Sequence, residues 1–270
     1  MGRIGRSFQL VGQSYRILMQ DKELMVLPLI SGTIITAAIV GMGFGFGVEF
    51  DDPRRIDPGL YLPLFLMYVF AYAIGIFFQA AVVAGATERM RGGDPTVGSA
   101  LAAAGRRIGA ILMWAVVAAT VGMALRMIQE RVGFVGRIIV SIVGAAWSLA
   151  TFFVVPVLVL EDRSVRESFT QSLGVFRKTW GETVVGGVTL GAAGVCAWLT
   201  LVAVTGLLAW AVGTPALFVF GAGAILLMIF FSALQGIYVA SLYRYATDGE
   251  VAPGFDRALF DQAFVEKKRR

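Results

Sequence analysis

The sequence predicts an all-α integral membrane protein of six transmembrane helices, and three observations carry that prediction. Charged residues make up 15% of the 270 positions, against about 25% in soluble domains, so water cannot be the main solvent of this surface. The apolar residues fall in long runs: 24–48, 60–87, 108–125, 138–160 and 183–243 contain no Asp, Glu, Lys or Arg. About 20 such residues cross a hydrocarbon core roughly 30 Å thick. Finally, the runs lack the ten-residue alternating segments of a membrane β-barrel.

The first four runs each supply one span. The fifth is 61 residues long and divides at "AVGTPALF", where Gly213 and Pro215 predict a turn, giving spans five and six. The first run is too long for a secretory signal and follows an amphipathic stretch. Lys and Arg concentrate on the cytoplasmic side of membrane proteins. Here 18 of the 23 basic residues lie in the N-terminus, loops 88–107 and 161–182, and the C-terminus, leaving Arg54, Arg55, Arg126, Arg131 and Arg137 opposite. Both termini are therefore expected in the cytoplasm, as an even number of spans requires. The outer loops "EFDDPRRIDPG" and "RMIQERVGFVGR" read as solvated segments.

An amphipathic segment precedes each pair of spans. In the first, Ile4, Phe8, Val11, Tyr15 and Leu18 recur at helical spacing. In the second, Asp94 is placed as N-cap and Pro95 at the first helical position, with Val97, Leu101, Ala104 and Ile108 as the stripe. In the third, Ser164 and Glu167 fit a capping box, followed by a stripe of Val165, Phe169, Leu173, Phe176 and Trp180. Basic residues flank the stripes, so each segment reads as an interfacial helix on the cytoplasmic leaflet. The residues expected at that interface are Phe8, Tyr15, Arg16, Leu101, Arg106, Arg107, Phe169, Phe176, Arg177, Lys178 and Trp180, facing anionic headgroups.

The segments also match one another. "SFQLVGQSYR" and "SFTQSLGVFR" share Ser-Phe, six residues, then an aromatic and Arg, and Leu101 and Ile108 keep the same spacing of seven. Spans two, four and six each run from a Phe pair (at Phe77, Phe152 and Phe230) toward Arg89, Arg163 and Arg244. The chain thus reads as a single membrane domain, 1–270, of three units, about 1–88, 89–161 and 162–245, with a tail at 246–270. Each unit is an amphipathic helix and a hairpin of two spans. The hairpins point the same way, unlike the inverted repeats of many transporters.

Chemistry is sparse. The chain has no histidine and one cysteine, which removes His-dependent triads and zinc motifs; no metal or cofactor is implied. Cys196 reads as a small core residue within its span. No span carries a charged residue at depth, and a proton-coupled carrier is disfavoured for that reason. Gln79 and Gln235 are the largest polar side chains inside spans, read either as interhelical packing or as lining a pathway. The glycines of "GMGFGFG", "GGVTLG" and "GAGA" have spacings that let helices approach closely. Packing within the chain is the default reading, and a contact with a second copy or another membrane protein the sharper one. Pro28 and Pro156 are expected to kink spans one and four. The tail "GFDRALFDQAFVEKKRR" places Phe255, Leu259 and Phe264 near one helix face before a basic cluster suited to anionic lipid. Nucleic-acid binding is not expected.

The stretches "VASLYRYATDGEVAPGFDRALFDQAF", "SYRILMQDKELMVLPLISG" and "TFFVVPVLVLEDRSVRESFTQS" resemble an uncharacterised family of six-span membrane proteins from bacteria and archaea. In broader pattern the chain is similar to the membrane domain that accompanies some glycerophosphodiester phosphodiesterases. The resemblance implies six spans in a prokaryotic plasma membrane and carries no functional residues. The expected function is a non-enzymatic membrane protein that organises lipid or anchors a partner through its surface helices. The alternative is a channel or facilitator for an ion, small solute or lipid between the hairpins. A lipid enzyme using Glu88, Glu161 or Asp162 has no paired constellation behind it.

Overall fold

In the computed structural model, residues 3–46, 59 and 61–248 are described, their side chains excepted at 3–10, 13, 46, 180–183, 245 and 248. The outer loop at 49–59, save Gly59, and the tail from 249 therefore lie outside the described residues. The rest is helical: α1 (Arg3–Gln20), a 3-10 turn (Lys22–Met25), α2 (Val26–Phe46), α3 (Tyr61–Met90), α4 (Val97–Gly105), α5 (Ile108–Arg131), α6 (Phe134–Ala150), α7 (Val154–Leu160), α8 (Val165–Val212) and α9 (Ala216–Asp248). Six segments among these are long and apolar enough to cross a membrane, and the fourth is α6 and α7 together. The chain is a multi-pass membrane protein by this measure.

Local chemistry accounts for the boundaries. Pro156 lacks an N–H, and in a continuous helix its ring would meet the carbonyl of Phe152. Span four is accordingly interrupted at Thr151–Phe153, a complete break where the sequence suggested a kink. Pro28 kinks nothing: it is the third residue of α2, in a first turn that has no donor to lose. The helix expected from Asp94 starts later, because Thr96 and Ser99 form the capping box while Asp94 is drawn to Arg89 at 2.7 Å. The box at Ser164 and Glu167 forms as expected. Bonds from the Ser164 N–H and hydroxyl hold the Glu167 carboxyl below the usual carboxylate range. Gly213, with φ of 73°, closes α8 and turns the chain into α9.

The largest departure is α8. The amphipathic segment after Ser164 and span five form one helix of 48 residues, about 70 Å at 1.5 Å per residue. Three residues of its stripe meet protein and are partly buried. Val165, Phe169 and Phe176 pack against the protein core, with Phe169 stacked on Trp147 at 5.8 Å.

Burial is concentrated at one end of the bundle, here called basal, where α1, α4 and the start of α8 lie. The C-terminal parts of α3, α7 and α9 pack on one another there. Ala80, Val83 and Ala86, Phe153, Val154 and Val157, and Ala233, Ile237 and Ala240 have no exposed surface. Around this centre, α4 packs on α3, α8 on α7, and α1 on α9. Toward the opposite, distal end the helices bury little; α6 has no buried residue.

Candidate functional site

Two parts of the structure combine polar groups with a defined geometry: a lateral cavity within the membrane-spanning region, and a set of polar joints at the basal end.

The cavity has a volume of about 990 Å³ and opens between α2, α3 and α9. Gln79 of α3 and Gln235 of α9 both stand on its wall, with Thr33 and Thr36 of α2 and Ser232 of α9. The sequence singled out Gln79 and Gln235, and the fold brings them to one place. Gly236 explains how. A Cβ there would lie 2.5 Å from Cγ1 of Val82, so only glycine lets α9 approach α3 this closely, one turn from Gln79. Each glutamine precedes a basal charged residue by nine positions, Glu88 and Arg244 respectively, about 14 Å along a helix. Both amides therefore stand in the basal half of their spans, Tyr61–Met90 and Ala216–Arg244. Among the described residues, no charged side chain lines the cavity.

The basal joints hold the helix ends together. Asp21, at the α1–α2 junction, is 6% exposed and takes a two-pronged bond from the Arg89 guanidinium at the end of α3. Burial of the carboxylate is tolerable because both its oxygens are engaged. Glu161, following α7, accepts from Tyr243 of α9, from Arg163, and from Gln171 of α8 at 2.6 Å. Glu88 accepts from Ser99 at 3.1 Å, and Asp162 pairs with Arg107. These four acidic residues thus each join separate parts of the chain. Within the break of span four, the Ser172 hydroxyl accepts from Phe153 N at 3.1 Å and donates to Ala150 O at 2.7 Å. It satisfies two backbone groups that a broken helix leaves free.

The residues expected at the membrane interface separate into groups. Arg16, Arg106, Arg177 and Lys178 are exposed at the basal end, and Tyr15 is 44% exposed while its ring meets Phe230 edge-on at 6.0 Å. Leu101, Phe169 and Phe176 face inward against the core. Arg107 donates to the carbonyls of Leu158, Glu161 and Arg163 at 2.9, 2.9 and 3.2 Å, so it caps the C-terminal end of α7 where a cation is favoured. The side chains of Phe8 and Trp180 lie outside the described residues. Cys196, expected in the core, is exposed on α8, because α8 turns another face toward α9. Of the glycines, Gly186 and Gly223 sit where helices approach closely, whereas Gly41 and Gly45 face open space. Asp21 and Ser172 were missed. Asp21 stands beside Lys22 and Glu23 in a charged cluster just before an uncharged run, so nothing in the sequence marks it from its neighbours; Ser172 has no signal either.

A model of a "Family of unknown function (DUF6159)" matches residues 59–254. The chain belongs to this family. The match spans α3 to α9 and therefore both glutamines, and it carries no link to glycerophosphodiester phosphodiesterases. No curated protein and no solved structure matches the chain.

Proposed function

We propose that this DUF6159 member is a non-enzymatic protein of a prokaryotic plasma membrane that organises lipid at the cytoplasmic leaflet, with both termini on that side. It consists of three like units whose hairpins point the same way, each opened by a helix at the membrane surface. The observation that carries the reading is the basal end. There three amphipathic helices each sit on the even-numbered span of the preceding unit, α1 taking its place on the last. Arg16, Arg106, Arg177 and Lys178 are exposed around them. Burial supports the repeat as well: Leu18, Ile111 and Thr179, equivalent in the register that aligns Tyr15, Ile108 and Phe176, are all fully buried. The three Phe pairs also adopt one arrangement, with interplanar angles of 85°, 84° and 89°. Basic side chains near an anionic leaflet each contribute about 1 kcal/mol. The test is thermal stability in nanodiscs with and without anionic phospholipid. A higher midpoint with anionic lipid, lost when Arg16, Arg106 and Lys178 are changed to Glu, is the expected result. Equal midpoints would sink the reading.

The runner-up is a facilitator, favoured by one observation: Gln79 and Gln235 share the lateral cavity. A path along the bundle axis has no support, since the centre of the basal end is fully packed. Lipid scrambling or ion leak in proteoliposomes that falls when both glutamines become leucine would favour the facilitator.

A further inference from the structure

We infer that the lateral cavity is a binding site for an uncharged lipid whose small head carries hydroxyl or carbonyl oxygens. This deepens the lipid-handling reading above by naming a ligand class for a region distinct from the basal basic ring.

The first argument is what the cavity lacks. Among the described residues its wall carries no Asp, Glu, Lys or Arg, and an ionised headgroup drawn in between the spans would be left uncompensated. Ions and charged phospholipid heads are excluded on that ground. The second is what the wall presents. The side chains of Gln79, Gln235 and Ser232 have no hydrogen-bond partner among the described residues. In hydrocarbon each unpaired polar group costs several kcal/mol. A carboxamide both donates and accepts, so the two amides match a neutral head with oxygens of either kind. An ordinary acyl chain at that depth offers them nothing.

The third argument is the shape. Along α2 the lining runs from Pro28, near the basal surface, to Val40, about 18 Å at the helical rise. A slot of that length reaches from one leaflet past the middle and stops short of the distal end of α2. Its occupant enters sideways from the basal leaflet, its head held at the glutamines and its tail left in the bilayer. Neighbouring Leu29, Ile225 and Met228 are exposed apolar side chains on the rim, suited to that tail. Two lipid types share this chemistry, a diacylglycerol and an isoprenoid quinone.

The experiment uses the full-length protein in nanodiscs of zwitterionic phospholipid, with photoreactive diacylglycerol and photoreactive isoprenoid quinone as separate probes. Saturable labelling by one of them, mapped to α2, α3 or α9, is expected. It should fall at least tenfold in Gln79→Leu/Gln235→Leu and persist against excess anionic phospholipid. Gly32→Leu is the second variant. A Cβ there meets nothing within 4 Å on the cavity wall, so the leucine takes up room in the slot while both amides are retained, and it should also abolish labelling. Undiminished labelling of a folded double variant, competition by phospholipid as strong as by the unlabelled neutral lipid, or no saturable labelling by either probe would overturn the inference. Because the probes are neutral, a protein that shows no preference for anionic lipid can still pass, so the two readings fail separately.

Discussion

The spans of this bundle are apolar from end to end, yet their basal and distal halves are held together differently. At the basal end α3, α7 and α9 meet in a solid core, and buried polar joints tie helix ends to one another: Asp21 with Arg89, Glu161 with Tyr243, Ser172 across the break in span four. At the distal end α6 buries no residue and Ile142 is 64% exposed. The difference teaches that hydropathy marks what enters the membrane but not what packs within it. Lipid satisfies an apolar side chain as well as another helix does, so apolar surface gives little reason for helices to associate. Shape and hydrogen bonds supply the reason, and the hydrogen-bonded joints between elements are basal.

Three substitutions sharpen the contrast. The largest effect is expected from Asp21→Asn, which removes one charge of a buried pair. Breaking such pairs costs about 3–5 kcal/mol. Arg89 keeps Asp94 and some contact with water, so a loss of about 2–4 kcal/mol, read from reversible unfolding in mixed micelles, is the expected outcome. A stability equal to wild type would mean that the basal joints are ornamental. Next, Ser172→Ala orphans Phe153 N at a place lipid and water do not reach, and should cost about 1–3 kcal/mol in the same measurement. The smallest effect belongs to Ile142→Ala on α6, within about 0.5 kcal/mol. A loss as large as that of Ser172→Ala would show that the distal half is covered by protein after all.

How much of this was legible beforehand depends on which interaction did the work. The spans were legible because charge avoidance is a property of each run by itself. The turn at Gly213 and the box at Ser164 and Glu167 were legible for a similar reason, being local in sequence. The shared wall of Gln79 and Gln235 was only half legible: both stood out as polar side chains inside spans, but their meeting depends on Gly236 admitting α3. The amphipathic stripes misled in part. A stripe at helical spacing looks the same whether it meets lipid or protein, and Phe169 meets Trp147. The role of Arg107 was hidden likewise, since a basic residue near an interface gives no sign that its targets are carbonyls fifty positions on.

The seat of α1 on α9 has a consequence for how the molecule is made. α1 leaves the ribosome well before α9. At about 5–20 residues per second, the ~200 residues between them take roughly 10–40 s to emerge. α8, on which α1 also packs, emerges in the meantime, but the seat on α9 stays missing throughout that interval. An amphipathic stripe that lacks its protein seat suits a bilayer surface. The surface-seeking pattern of α1 can thus be read as the record of a waiting state in biogenesis, preserved in a helix whose finished position is against protein.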